Sequence, residues 1–103
     1  MREYHLPLRL YSTANLREHW SARHRRHKLH RAAAIVIDRH EVPCKVEIIR
    51  IGKRLLDGDN LQAAAKGLRD GIADRLGIDD ADPRVTWLYS QQQGDYGVIV
   101  RIY

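Results

Sequence analysis

A single cysteine, Cys44, stands in 103 residues, so no disulfide can form within the chain, and a reducing compartment is expected. Long apolar runs are missing too. The longest, Ala32–Ile37, falls far short of the roughly 20 residues that a membrane span needs. The N-terminal stretch MREYHLPLRLY has neither the apolar core nor the small-residue cleavage site of a signal peptide. A cytoplasmic protein with no membrane partner is expected. No Pro- or Gly-rich linker divides the chain, no internal repeat is visible, and Gln91–Gln93 is the one low-complexity tract. A GxGxxG fingerprint, a phosphate-cradling P-loop and a Ser-His-Asp arrangement are all missing, which sets aside nucleotide cofactors and acyl transfer. Acidic residues are the scarcer charge, 13 against 18 Lys plus Arg, and the resulting net charge of +5 favours an anionic partner, most commonly nucleic acid.

What is present is an ordinary globular balance, 44% hydrophobic and 30% charged, which argues against wholesale disorder. The length suits one domain over residues 1–103 with a modest core. Alternation over Glu3–Tyr11 predicts a strand, with Pro7 marking an edge or a bulge. From about Ser21 to His40 the pattern is helical, with Leu29, Ala33, Val36 and Ile37 on one face. Lys45–Ile51 predicts a second strand, whose apolar positions slip from Val46 and Ile48 to Ile49 and Ile51. Leu61, Ala64, Ala65, Leu68 and Ile72 recur at helical steps. Val85–Gln91 and Tyr96–Ile102 predict two strands joined as a hairpin through Gln93-Gly94-Asp95, with Trp87 and Tyr89 on a core-facing side. The order β-α-β-α-β-β predicts an α+β fold: a single mixed sheet of about four strands with two helices packed on one face.

The acids that do occur are concentrated. Asp57 and Asp59 flank Gly58 just before the second helical pattern, and Asp79 and Asp80 close it after Gly77. On an extended chain both members of the first pair leave from one face, about 7 Å apart at Cα, a spacing that lets two carboxylates converge on one hard cation. Asp59 or Asn60 can alternatively cap the helix. A helix from Asn60 to Gly71 would be about 18 Å long and leave enough chain for Asp80 to return. One running to Leu76 would be about 25 Å long, leave four residues, and call for a carboxylate from another source such as a symmetric partner. Asp79 and Asp80 are both open as the third ligand.

The stretch Asp57-Gly58-Asp59-Asn60-Leu61-Gln62, followed by Ile78-Asp79-Asp80-Ala81, resembles the RusA-type Holliday-junction resolvases, small phage and prophage endonucleases. Their signature is Asp-x-Asp-Asn-Leu, a helix, and then an Asp-Asp pair before a strand. The layout ahead of it is also similar: a strand, Ser12-Thr13-Ala14-Asn15, a basic run and a helix. The specific part of the likeness spans Leu55–Asp80. It implies that Asp57, Asp59 and Asp80 hold Mg²⁺, with Mn²⁺ as a substitute, and activate a water against a DNA phosphodiester. The family commonly carries a lysine four residues after the second aspartate; here that position is Ala63, and Lys66, one turn on, stands in as the catalytic lysine. The arginine often found before the first aspartate is replaced by Leu56, with Lys53 and Arg54 upstream to supply charge.

Arg17–Arg31 carries six Arg or Lys, four His and one acid. Arg23, His27, His30 and Arg31 would line one side of a helix there, and His24, Arg25 and Lys28 another. Arg17, Arg23, Arg25, Arg26, Lys28 and Arg31 are therefore expected to bind DNA phosphates without reading sequence. A histidine metal site is not expected among so many cations, and Trp20 reads as a packing anchor at the helix start. The expected activity is resolution of four-way DNA junctions by paired nicks. Two symmetric cuts need two sites, so a homodimer follows. The alternatives are a non-catalytic DNA-binding module and a nuclease for other branched substrates.

Overall fold

The computed structural model describes residues 1–12 and 20–103. Along the chain run β1 (Arg2–Leu6), α1 (Trp20–Ala33) with a 3₁₀ turn at Ala34–Val36, β2 (Cys44–Gly52), α2 (Gly58–Ala64), α3 (Lys66–Leu76), β3 (Val85–Gln93) and β4 (Gly97–Ile102). The four strands form one mixed sheet in the order β1-β4-β2-β3. This is the expected α+β class, with three helices in place of two, because the second helical pattern breaks at Ala65.

Pro7 does mark an edge: β1 lies at one side of the sheet and stops at Leu6, short of the expected Tyr11. The expected hairpin is not formed. β2 lies between β3 and β4, parallel to the former and antiparallel to the latter. The α2–α3 crossover is long enough to bring β3 back parallel to β2. Gly94-Asp95-Tyr96 then crosses the end of β2, tied there by the Gly94 amide to the Gly52 carbonyl at 3.0 Å. The apolar slip in β2 leaves its pairing regular. Its ladder to β3 runs unbroken from Cys44 to Gly52, and the inward position expected to be apolar is filled by Arg50.

One face of the sheet carries Val46, Ile48, Val98, Val100, Ile102 and Leu6, packed against Ile37, Leu68, Ile72 and Leu76. The α3 side of this core follows the expected helical spacing. The α1 side does so only in part. Ile37 is buried and Ala33 half-buried as expected, but Leu29 is 69% exposed and Val36 55%, and His30 and Ala34 are buried in their place. The reason is Gly67 and Gly71 on α3. A Cβ on Gly71 would collide with the Arg31 carbonyl and lie 2.9 Å from the Ala34 Cβ, and one on Gly67 would lie 2.9 Å from the His30 Cβ. The two helices thus approach backbone to backbone, which buries short methyls and one imidazole instead of large apolar side chains. Trp20, 71% exposed, is not a core anchor, while Trp87 and Tyr89 do pack against the core.

Candidate functional site

The carboxyl ends of β1, β2 and β3 meet at one end of the sheet, and the α2 acids follow from there. Asp57 is the N-cap of α2, with φ −63° and ψ 154°, and its side chain makes no capping hydrogen bond. Helical geometry begins at Gly58, so Asp59 sits inside the first turn and caps nothing, in contrast to the extended pair expected from the sequence. Two positions apart at a helix start, the two Cα atoms are about 5–6 Å apart. No hydrogen bond or ion pair to either carboxylate is found among the described residues, and both residues are exposed. An acid in the first turn gains from the helix dipole, yet this leaves its oxygens open for a ligand.

The segment carrying Asp57 is held by two residues that sequence reasoning missed. Gln91 on β3 accepts a hydrogen bond from the Leu56 amide at 2.8 Å and donates one to the Leu56 carbonyl at 2.8 Å. Arg50, 3% exposed, donates from Nε to the Leu10 carbonyl at 2.6 Å and from Nη1 to the Arg54 carbonyl at 2.7 Å. Burial draws its pKa down from the ordinary arginine value. Gly52 has to be glycine for this: a Cβ there would sit 2.7 Å from the Arg50 guanidinium. The one signal for Arg50 was the break in the apolar alternation of β2.

Asp80 lies on the loop after α3. Gly77 takes a left-handed conformation, φ 71°, and the Ile78 amide bonds back to the Ala73 carbonyl at 3.0 Å, which turns the chain along the helix it has just left. Although α3 does run to Leu76, Asp80 returns far enough for its Oδ2 to accept a bond from Lys66 Nζ at 2.9 Å. Arg69 donates to the Asp80 backbone carbonyl at 2.7 Å, and its Nε lies 3.7 Å from the carboxylate. Lys66 also donates to Asp70 Oδ1 at 2.8 Å, and the other Asp70 oxygen meets His27 Nε2 at 2.8 Å. Asp70 and then Asp80 raise the Lys66 pKa, and Lys66 lowers that of Asp80. The structure therefore brings Lys66 to Asp80, while Asp57 and Asp59 stand apart at the start of α2. Among the described residues no three His, Cys, Asp or Glu side chains converge as a metal cluster.

Lys66 belongs to the walls of two cavities. One, about 470 Å³, is basic and lies between α1 and the α2–α3 junction, lined by Arg23, Arg26, His27, Lys66, Tyr11 and Ala63. The other, about 370 Å³, is lined by Lys66, Arg31, Asp70, Asp74, Asp79 and Asp80. Ala63, the position of the expected lysine, thus opens on the basic cavity one turn after Asp59. Among the expected DNA-binding residues, Arg23, Arg25, Lys28, Arg31, Lys53 and Arg54 are exposed and Arg26 is half-buried. Arg31 is engaged by Asp74, with bonds of 2.6 and 2.8 Å. The side of α1 bearing His27 and His30 faces α3, since the glycines of α3 draw the helices together, while Arg31 stays half-exposed at its edge. Burial, then Arg26 and His27, lower the His30 pKa and so favour its neutral imidazole. Arg17 lies outside the described residues.

Comparison of the chain with protein-family models and with curated protein sequences finds no match.

Proposed function

We propose that this chain is a Mg²⁺-dependent endodeoxyribonuclease for branched DNA, four-way junctions foremost, that works as a homodimer. The observation that carries the reading is the pairing, at one end of the fold, of two exposed carboxylates with a basic cavity. Among the described residues Asp57 and Asp59 take no hydrogen bond or ion pair, and the wall beginning one turn beyond them is lined with cations. A buried or capping role would have consumed those oxygens.

Asp57 and Asp59 fit a Mg²⁺ ion even without a third carboxylate beside them, because this ion keeps several waters and often takes only one or two carboxylates plus phosphate oxygens. Asp80 would join them after leaving Lys66, or act across a dimer. When bound, the ion supplies charge neutralisation at the phosphate and a more acidic water. The chain's own part is positional. Gln91 and Arg50 fix the backbone that aims Asp57, Arg23 and Arg26 offer donors to phosphate oxygens, and Lys66 stands at the cavity wall where a released ammonium faces the strand.

A second reading, a DNA-binding module without catalysis, is favoured by two features: Ala63 lacks the ammonium, and Asp80 is already paired with Lys66. Both readings meet the same test. A synthetic four-way junction and a linear duplex of equal length are incubated with the protein, with and without Mg²⁺, beside the variants Asp57→Asn and Asp59→Asn. The nuclease reading expects metal-dependent nicks in the junction that both variants lose while still binding it. A parent that binds junctions but cuts in neither Mg²⁺ nor Mn²⁺ leaves the binding module.

A further inference from the structure

Cationic side chains are treated differently in different parts of this molecule. Away from the acid-bearing end, arginines meet carboxylates: Arg31 with Asp74, Arg84 with Asp82, Arg101 with Glu3, Arg2 with Asp38. At that end Arg9, Arg26 and Lys53 lie against tyrosine rings. The Arg9 guanidinium lies 4.0 Å from the centre of the Tyr96 ring and 5.6 Å from that of Tyr11. Arg26 lies 5.2 Å from the Tyr11 ring and donates to its hydroxyl at 3.4 Å, and the Lys53 ammonium is 5.8 Å from Tyr96. The row reads Arg26, Tyr11, Arg9, Tyr96, Lys53. Its members come from four separate segments: the stretch after β1, α1, the loop after β2 and the β3–β4 crossing. Among the described residues Arg9 and Lys53 make no ion pair with a carboxylate, though Asp95 adjoins Tyr96 in sequence.

We propose that Tyr96 and Tyr11, with Arg9 between them, form a binding site for an unpaired nucleobase and the phosphates beside it, so that DNA is gripped through a single-stranded stretch. The proposal rests on DNA being the partner and does not require cleavage. The chemistry selects this ligand. An aromatic face stacks on any base that is not itself stacked in a duplex, and an exposed cation resting on that face is weakly held and free to move to a phosphate. A base entering against Tyr96 would thus exchange one π contact for another and release Arg9 to the backbone charge. Neither an acidic peptide nor a bare anion would use the tyrosine rings. Position is consistent with the same strand path, since only three residues separate Lys53, which borders Tyr96, from Asp57.

The test is binding in EDTA, where no cleavage can occur. Labelled oligodeoxythymidylate of about eight nucleotides, within the usual range for such sites, is compared with an abasic strand of the same length and charge. The parent should bind the thymidylate at least about fivefold more tightly. Tyr96→Leu should weaken thymidylate binding about tenfold and leave the abasic strand unchanged, which also shows that the variant is folded. Tyr96→Phe should keep the parent's preference, since the ring and not the hydroxyl does the stacking. Equal affinity of the parent for the two strands, or an equal loss on both in Tyr96→Leu, overturns the site. The outcomes separate from those of the nuclease reading. A protein that passes here and never cuts junctions keeps this site alone; one that cuts junctions while Tyr96→Leu binds thymidylate like the parent keeps the nuclease reading alone.

Discussion

Replacing Gln91 with leucine should unfasten the segment that aims Asp57. The side chain makes two neutral hydrogen bonds with the Leu56 backbone, each 2.8 Å, and accepts a longer one of 3.3 Å from Arg50. A neutral bond of this kind is worth about 1 kcal/mol net, so two give about 2 kcal/mol. The Arg50 contact adds little, because that guanidinium keeps the carbonyls of Leu10 and Arg54. If the loop stays in place, the stranded Leu56 amide and carbonyl raise the cost towards about 3 kcal/mol; if it swings out, water satisfies them and the cost falls to about 1 kcal/mol. For a domain near 100 residues, 2 kcal/mol is a fall of roughly 8–16 °C in Tm. Urea unfolding reads the first outcome and hydrogen exchange at the Leu56 amide reads the second. Gln91→Glu divides the effect: it can still accept from the Leu56 amide and faces Arg50, but cannot donate to the Leu56 carbonyl. An unchanged urea midpoint together with unchanged exchange at Leu56 in Gln91→Leu would show that β3 does not hold this loop.

Gly71→Ala should destabilise the protein by about 1–2 kcal/mol in urea unfolding, because overpacking against the Arg31 carbonyl outweighs the roughly 1 kcal/mol that alanine gains in a helix. Gly58→Ala, where an added Cβ would meet nothing within 4 Å, should be neutral or stabilising by up to about 1 kcal/mol, and a loss of stability there would mean that the start of α2 is not as described. Arg84, through its side chain first and its amide second, holds the Asp82 carboxyl down at about 2. The folded value lies below the unfolded one, so the stability this contributes is present above about pH 4 and lost as pH falls towards 2. The urea midpoints of the parent and Asp82→Asn should therefore differ at pH 6 and converge near pH 2; a constant difference would remove the charge as its cause. Reversing charge at Arg25 and Lys28 together, both exposed on α1, should weaken DNA binding and flatten its dependence on salt, and an unchanged slope would return that face of α1 to simple solvation.

Local chemistry made some of this legible in advance. The acid pairs stood out because carboxylates are few in a basic chain, and the α3 core stripe because Leu68 and Ile72 obey a helical period. Strand order was not legible. Gln93-Gly94-Asp95 has the composition of a hairpin turn, yet the slot beside β3 belongs to β2, and no residue of the turn reports which strand fills it. The break at Ala65 is equally silent, since Ala63-Ala64-Ala65-Lys66 are all strong helix formers. The buried face of α1 was not legible either, because two glycines on another helix decide what α1 can bury, and large apolar side chains on α1 do not. Arg50 and the tyrosine row share a cause of invisibility: each joins segments far apart in sequence, so neither leaves a periodic trace.

The break at Ala65 also changes how Lys66 should be understood. On one straight helix, seven residues from Asp59, it would lie about 10 Å along the axis and beyond its own reach of the α2 acids. With α2 and α3 as separate elements that offset is no longer a fixed axial distance. Lys66 begins a helix of its own and stands between a basic cavity and an acidic one. Its bonds to Asp70 and Asp80 look like a lock, but the ammonium side is half exposed, and ion pairs in such surroundings contribute little and are screened by salt. Arg69, meanwhile, bonds to the Asp80 backbone carbonyl and not to its carboxylate, so the side chain can leave Lys66 without that backbone contact being broken. The Lys66–Asp80 pair is therefore readily exchanged once a phosphate strand lies in the basic cavity or a cation draws on the carboxylate. For that reason the separation of Asp80 from Asp57 and Asp59 does not count against the nuclease reading, and the decision rests with the junction-cleavage experiment.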